Sequence, residues 1–145
     1  VTKIDTDRIE KLIGNMRSSL ILLRELSAVS EGRFLGDPHL QGSAKYNLVV
    51  CIEAVIDISN HIISRKKFRV PEDYADTFRV LVEAGVVESG FGSELEKMAR
   101  FRNRIVHLYW DIDISEIRKI LQSNLIDFDK YVEILAKYLA SDGNK

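Results

Sequence analysis

The chain is short of the residues that break or staple a fold. Its 145 residues hold two prolines, eight glycines and one cysteine. So few prolines and glycines argue against long linkers and against disorder. The lone Cys51 cannot close an internal disulfide, so a reducing cytoplasm is the expected compartment. No signal-peptide pattern opens the sequence. No unbroken apolar run approaches the roughly 18 to 20 residues that cross a bilayer, so no membrane partner is expected. The three histidines, His39, His61 and His107, never stand at H-x-x-x-H or H-E-x-x-H spacing. With a single thiol beside them, no metal-ligand set is recognisable, and neither metal nor cofactor is expected. A phosphate-binding loop and a dinucleotide fingerprint are also missing; Gly90-Phe91-Gly92 is too short for either. No serine or cysteine sits in a recognisable nucleophile setting. No segment alternates cleanly enough for a strand, and there are no internal repeats or low-complexity stretches. A net charge of −1 excludes a broadly basic surface. Local basic clusters remain at Arg65-Lys66-Lys67-Phe68-Arg69 and at Lys97, Arg100, Arg102 and Arg104, and such patches can still hold phosphates.

What is present is helical periodicity. Hydrophobic residues make up 46% and charged residues 30%, as in an ordinary globular chain. At this length one domain, residues 1–145, is expected. Residues 1–5 read as a frayed lead-in, with Asp5 or Thr6 as cap. Ile9, Leu12, Ile13, Met16, Leu20, Leu23 and Ser27 then recur at helical period, with Leu22, Leu26 and Val29 widening the stripe. This predicts a first helix over about 6–31, stopped by Gly32, with Gly14 inside it as a point of close packing. Asp37-Pro38 opens a second helix that reaches about Ser64. Its middle, residues 48–58, is apolar almost all round, which marks a central helix. Val70-Pro71 interrupts the chain. A shorter helix is expected over 73–84, with Tyr74, Phe78, Leu81 and Val82 inward and Gly85 as its stop. Glu88–Gly92 reads as a turn or an early helical turn. A further helix carries Leu95, Met98, Ala99, Phe101 or Arg102, and Ile105. The last helical region starts at Asp113 or Ser115 and breaks near Ser123-Asn124. The expected architecture is all-α: an antiparallel four-helix bundle with an additional short helix.

The chemistry gathers in one stretch, Arg100-Phe101-Arg102-Asn103-Arg104-Ile105-Val106-His107-Leu108-Tyr109-Trp110, whose polar skeleton is R-N-x-x-x-H-x-Y. Arginine makes two-pronged hydrogen bonds to phosphate, and histidine exchanges protons near neutrality. Together they suffice for metal-free RNA cleavage. Histidine takes the proton of a ribose 2′-hydroxyl or gives one to the leaving oxygen, and arginine stabilises the charge growing on the phosphate. Five residues along a helix separate Arg102 from His107 by about 140°. The pair therefore converges only if the helix ends near Val106 and the chain turns, or if two copies meet across a dimer. The plainer reading is a basic helix end that suits the dipole. Glu53, Asp57 and His61 stand four apart on one face of the second helix. That face is either the wet side of the bundle or the lining of a polar cleft.

Residues 101–109 resemble the R-x-x-x-x-H-x-Y motif of the HepT-like toxins, a family of the HEPN superfamily (higher eukaryotes and prokaryotes nucleotide-binding). The blocks 53–63, 71–78 and 81–87 are similar to that family in type and order, and the resemblance spans about residues 6–140. It implies a helical bundle that dimerises so that two motifs share one cleft. It implies a metal-independent endoribonuclease acting on tRNA or mRNA, the toxin of a toxin–antitoxin pair. Its antitoxin would be an MntA-like nucleotidyltransferase that moves AMP onto the motif tyrosine. On that resemblance Arg102 and His107 are catalytic, Asn103 supports the site, and Tyr109 is the modified residue. Asp57 and His61 lie outside the motif and are candidates only because their helix face could border the cleft. The alternative class is a non-catalytic helical module that binds a nucleotide or a nucleotidyltransferase.

Overall fold

One helix, α3 (Pro38–Arg65), is the axis of the fold in the computed structural model, which describes residues 3–143. Asp37 starts it as expected: the carboxylate accepts a hydrogen bond from the His39 N–H at 2.9 Å, with Pro38 in the first turn. Leu48, Cys51, Ile52, Val55, Ile56, Ile58, Ile62 and Ile63 are all buried. By length and mean hydropathy, 1.4 over its most apolar window, α3 is long and apolar enough to cross a membrane. Here 61% of that window is buried within the bundle. The two buried polar side chains of α3, Asn47 and Ser59, are both satisfied. Asn47 donates to the Ser43 carbonyl at 2.8 Å, and Ser59 shares a 2.7 Å hydrogen bond with Tyr131. Burial pushes the Cys51 thiol up to about 12, so it behaves as a core residue.

The other helices surround this axis. α1 (Thr6–Ser27) lies along one flank. α4 (Tyr74–Glu83) and α5 (Ser89–His107) pair with each other and pack on α3. α2 (Glu31–Gly36) and α6 (Ile114–Ser123) meet beside α3, and α7 (Ile126–Tyr138) completes the cover. A 3-10 turn spans Tyr109–Asp111, and a π-helical turn over Leu139–Gly143 ends the described chain. The all-α bundle expected from periodicity is the fold observed, with no strand among the described residues. The break expected near Ser123-Asn124 falls between α6 and α7, and Asp113 caps α6 through the Ser115 N–H.

Several local expectations are corrected. Residues 3–5 are not a frayed lead-in: Ile4 is buried, and the Asp5 carboxylate caps α1 through the Arg8 N–H at 3.1 Å. Residues 1–2 of the predicted lead-in lie outside the described residues, as do residues 144–145. The first helix stops at Ser27, not near Gly32. Ser30 starts a new helix by accepting from the Arg33 N–H, and the fully buried Phe34 anchors it, so Gly32 lies within α2. Leu22, placed in the inward stripe, is exposed. Tyr74 is half-exposed rather than inward.

Gly14 is not a point of close packing either; a Cβ there would meet open space. The close approach is at Gly92, where a Cβ would lie 2.4 Å from a methyl of Val82 on α4. Gly14→Ala is therefore expected to stabilise by up to about 1 kcal/mol through helix propensity. Gly92→Ala is expected to cost about 1–3 kcal/mol by overpacking against a stiff β-branched side chain. Urea midpoints of the two variants should move in opposite directions.

The start of α4 is tied by charge. Asp76 is buried and takes both prongs of the Arg69 guanidinium, at 2.8 and 3.1 Å, as well as the Glu72 N–H at 2.9 Å. These contacts, Arg69 first, hold its carboxyl at about 2, below the ordinary 3.8. The folded state thus binds the proton less readily than the unfolded chain. Its stabilisation is present above pH ~4 and is lost as pH falls toward 2. Asp76→Asn should remove on the order of 2 kcal/mol at neutral pH. It should also flatten the acid limb of stability against pH, read by urea unfolding between pH 2.5 and 6.

Candidate functional site

α5 carries the Arg/His stretch and ends at His107, one residue past the expected Val106, where the chain turns. Its inner face is apolar, with Leu95, Ala99, Phe101 and Ile105 buried, so its rotation about its axis is fixed by the core. That rotation turns Arg102 toward α3. The guanidinium Nη2 donates to Glu53 Oε1 at 2.7 Å, and Nε donates to the same oxygen at 3.3 Å. Nη1 donates to Asn103 Oδ1 at 3.1 Å, so the nominated supporting amide does touch the arginine. The Tyr74 ring lies beneath the guanidinium, 5.1 Å from carbon to centroid. The Arg102 side chain is left only 13% exposed.

His107 goes the other way. It is exposed and makes no hydrogen bond or ion pair among the described residues. Five residues of helix set the two candidates about 140° apart around α5, and no contact joins them among the described residues. After His107 the chain folds into the 3-10 turn rather than continuing extended. Tyr109 is 64% exposed there, with its ring edge-on to Trp110 at 5.3 Å. Val106, Leu108 and Trp110 are exposed beside it, so the end of α5 presents an unpartnered apolar patch.

The face of Glu53, Asp57 and His61 divides. Glu53 belongs to Arg102. Asp57 lies on the open side, where partial desolvation, then the neighbouring Glu53 charge, holds its carboxyl above the usual range; Arg8 and Arg102 pull it back down. His61 is used by α1: its Nε2 accepts the Asp5 N–H at 3.0 Å, which requires the neutral ring. Desolvation, then the Arg65 and Arg8 charges, accordingly lowers its pKa. Asp57 and His61 line a shallow hollow of about 380 Å³ with Asp5, Arg8, Asn60 and Arg65. The structure ties Asp57 to Arg102 through charge alone and gives His61 a different contact.

The neighbouring basic residues are mostly neutralised. Lys97 pairs with Glu94, Arg100 with Glu96, and Arg104 with Glu116 at 2.9 Å. Among the described residues no three His, Cys, Asp or Glu side chains form a ligand cluster. Sequence reasoning missed Glu53 and Tyr74 as the groups that hold Arg102. The available signal was Glu53 four residues before Asp57 on one helix face.

A small all-α bundle with R-N-x-x-x-H-x-Y closing one long helix defines a HEPN-type helical protein. Residues 16–135 match the model of the family described as Ribonuclease HepT-like, and the chain belongs to that family. It is 31% identical over 103 residues to the mRNA nuclease HepT of Shewanella oneidensis, covering 71% of this chain and 77% of that protein. It is 25% identical over 142 residues to the tRNA nuclease HepT of Aphanizomenon flos-aquae, covering 96% and 95%. Among solved structures it resembles the tri-AMPylated Shewanella oneidensis HEPN toxin in complex with its MNT antitoxin. There the TM-score is 0.83 at 26% identity, over 89% of this chain and 96% of the toxin.

Proposed function

We propose that the chain is a metal-independent endoribonuclease, the toxin of a toxin–antitoxin pair. Its cognate would be an MntA-like nucleotidyltransferase, and its 145 residues would work as one HEPN-like domain in a homodimer. Arg102 holds the scissile phosphate and His107 moves the proton, with Asn103 and Glu53 positioning the arginine. The observation that carries this reading is the pre-oriented guanidinium, gripped by Glu53, Asn103 and Tyr74 on a helix that ends in an exposed histidine. Binding phosphate needs a fixed, two-pronged cation, and proton transfer needs an accessible imidazole. Relatives named as mRNA and tRNA nucleases support RNA as the substrate. The solved complex with an MNT antitoxin supports the partner. The direct test is purified protein with end-labelled tRNA and mRNA in excess EDTA. Discrete cleavage products are expected. Intact RNA from a folded dimer would favour the non-catalytic module instead.

The two faces of α5 support the dimer reading. Arg102 and His107 diverge on one chain by about 140°, so a two-fold arrangement that sets one protomer's arginine opposite its partner's histidine completes the site. The exposed Val106, Leu108, Tyr109 and Trp110 are suited to such a contact. Light scattering at micromolar concentration should return twice the 16.6 kDa chain mass. Mixing inactive Arg102→Ala and His107→Ala proteins should restore part of the activity, because one of the two composite sites in a mixed dimer keeps both groups. A monomeric mass with full activity would sink the composite site.

A further inference from the structure

Tyr74, which packs against the Arg102 guanidinium, also lines an open hollow of about 670 Å³ between the end of α3 and the start of α4. Tyr74 forms one wall and Phe68 another, with Asn60, Lys67, Glu72 and Asp73 around them. Tyr74 is 41% exposed although its ring is already engaged by the Arg102 guanidinium. One aromatic side chain therefore joins the proposed phosphate-binding group to this hollow.

The polar groups around the hollow have capacity to spare. The Asn60 carbonyl accepts from the Thr77 hydroxyl at 3.0 Å, while its amide N–H groups have no partner among the described residues. The Glu72 carboxylate and the Lys67 ammonium make no ion pair among the described residues. Lys67 also holds a left-handed backbone at φ 57, which costs free energy in a non-glycine residue and turns the chain at the rim. The carboxylates of Glu72 and Asp73 make the hollow a poor home for a phosphate. They are good acceptors for amino groups. An aromatic wall, an Asn60 amide and a Glu72 carboxylate without partners among the described residues, and the outer oxygen of the capping Asp73 together fit a flat ring that bears exocyclic N–H donors.

We propose that this hollow is a nucleobase subsite. It takes one unpaired base of the RNA strand next to the phosphate on Arg102, stacked on Tyr74 and read by Asn60 and Glu72. Bases with an exocyclic amino group, adenine, cytosine and guanine, are preferred over uracil. Lys67 at the rim meets the next phosphate along the strand. The proposal rests on the ribonuclease reading for its substrate class, but its geometry is separate from His107.

The test uses the full-length protein and non-cleavable 2′-O-methyl tetranucleotides, with binding followed by fluorescence anisotropy. A series carries an abasic residue at each position in turn. Wild type should bind the oligonucleotide lacking the critical base roughly tenfold more weakly than its parent, the scale of one base–aromatic stack. Tyr74→Phe should keep that difference. Tyr74→Leu, which fills similar volume without a π face, should erase it, as should Tyr74→Ala if it folds by circular dichroism. Glu72→Gln, at an exposed position, should narrow the preference for amino-bearing bases over uracil. Equal binding of abasic and parent oligonucleotides at every position overturns the subsite, as does a tenfold difference that survives in Tyr74→Leu. Because these probes cannot be cleaved, the outcomes separate cleanly. Cleavage of ordinary RNA without a base effect removes only the subsite. A base effect without any cleavage removes only the nuclease reading.

Discussion

His107→Ala should fold as the wild type does and cut RNA at least a hundredfold more slowly. The side chain is exposed and has no bonding partner among the described residues, so its removal leaves no cavity and no orphaned partner there. Its proposed work is proton transfer at the ribose 2′-hydroxyl or the leaving oxygen, a contribution of about 10²–10⁴ in rate. Arg102→Ala should lose about 10²–10³ by removing the charge that stabilises the phosphate, and should also weaken RNA binding. That variant leaves Glu53 without its partner, but Glu53 is 42% exposed and can be solvated. Arg102→Lys keeps the charge and loses the fork that grips Glu53 and Asn103 together, so it should recover little. Rates on labelled RNA, with circular dichroism to verify folding, decide the matter. Full activity from a folded His107→Ala protein would remove the proton-transfer role.

The features legible in the sequence were those written locally. Asp37-Pro38 signals a helix start through one carboxylate and one fixed φ, and the structure starts α3 there. The middle of α3, apolar almost all round, marks a central element, and it is one. The features that stayed hidden depend on neighbours distant in sequence. Gly14 and Gly92 look alike in a helical pattern. Only the approach of Val82 makes one of them a packing glycine. Leu26 and Val29 keep helical period across the point where α1 ends, so periodicity hid the break before Ser30. The grip on Arg102 joins residues 49 apart. Tyr74 sits four residues before the buried Phe78 and reads as core, yet its ring goes to Arg102 instead. Motif spacing could name Arg102 and His107 and show that one helix cannot converge them. Where each side chain points followed from the core face of α5.

Tyr109→Phe should keep most of the ribonuclease activity and escape silencing by the partner nucleotidyltransferase. In the proposed switch, the Tyr109 oxygen attacks the α-phosphorus of ATP, pyrophosphate leaves, and the phenolic proton is lost to solvent or base. The hydroxyl meets the first requirement of such a reaction, access: Tyr109 is 64% exposed on a turn just past His107. Its ring packs edge-on to Trp110, which limits the directions the hydroxyl can take without burying it. Attached AMP brings bulk and a negative phosphodiester to the end of α5, beside the proposed cleft. That anion competes with the RNA backbone for the cleft's cations, as added phosphate does in other charge switches. The modification should therefore silence the protein while leaving its fold and unfolding midpoint nearly unchanged, since Tyr109 lies outside the core. A tri-AMPylated toxin among the structural relatives supports the chemistry. Phenylalanine keeps the ring and its contact with Trp110, so only the acceptor oxygen is lost. Wild type and Tyr109→Phe are each incubated with the nucleotidyltransferase and ATP, then weighed by intact-mass spectrometry and assayed on RNA. Wild type should gain AMP and fall silent; Tyr109→Phe should gain none and keep cutting. AMP on the phenylalanine variant, with loss of cleavage, would place the acceptor on another side chain.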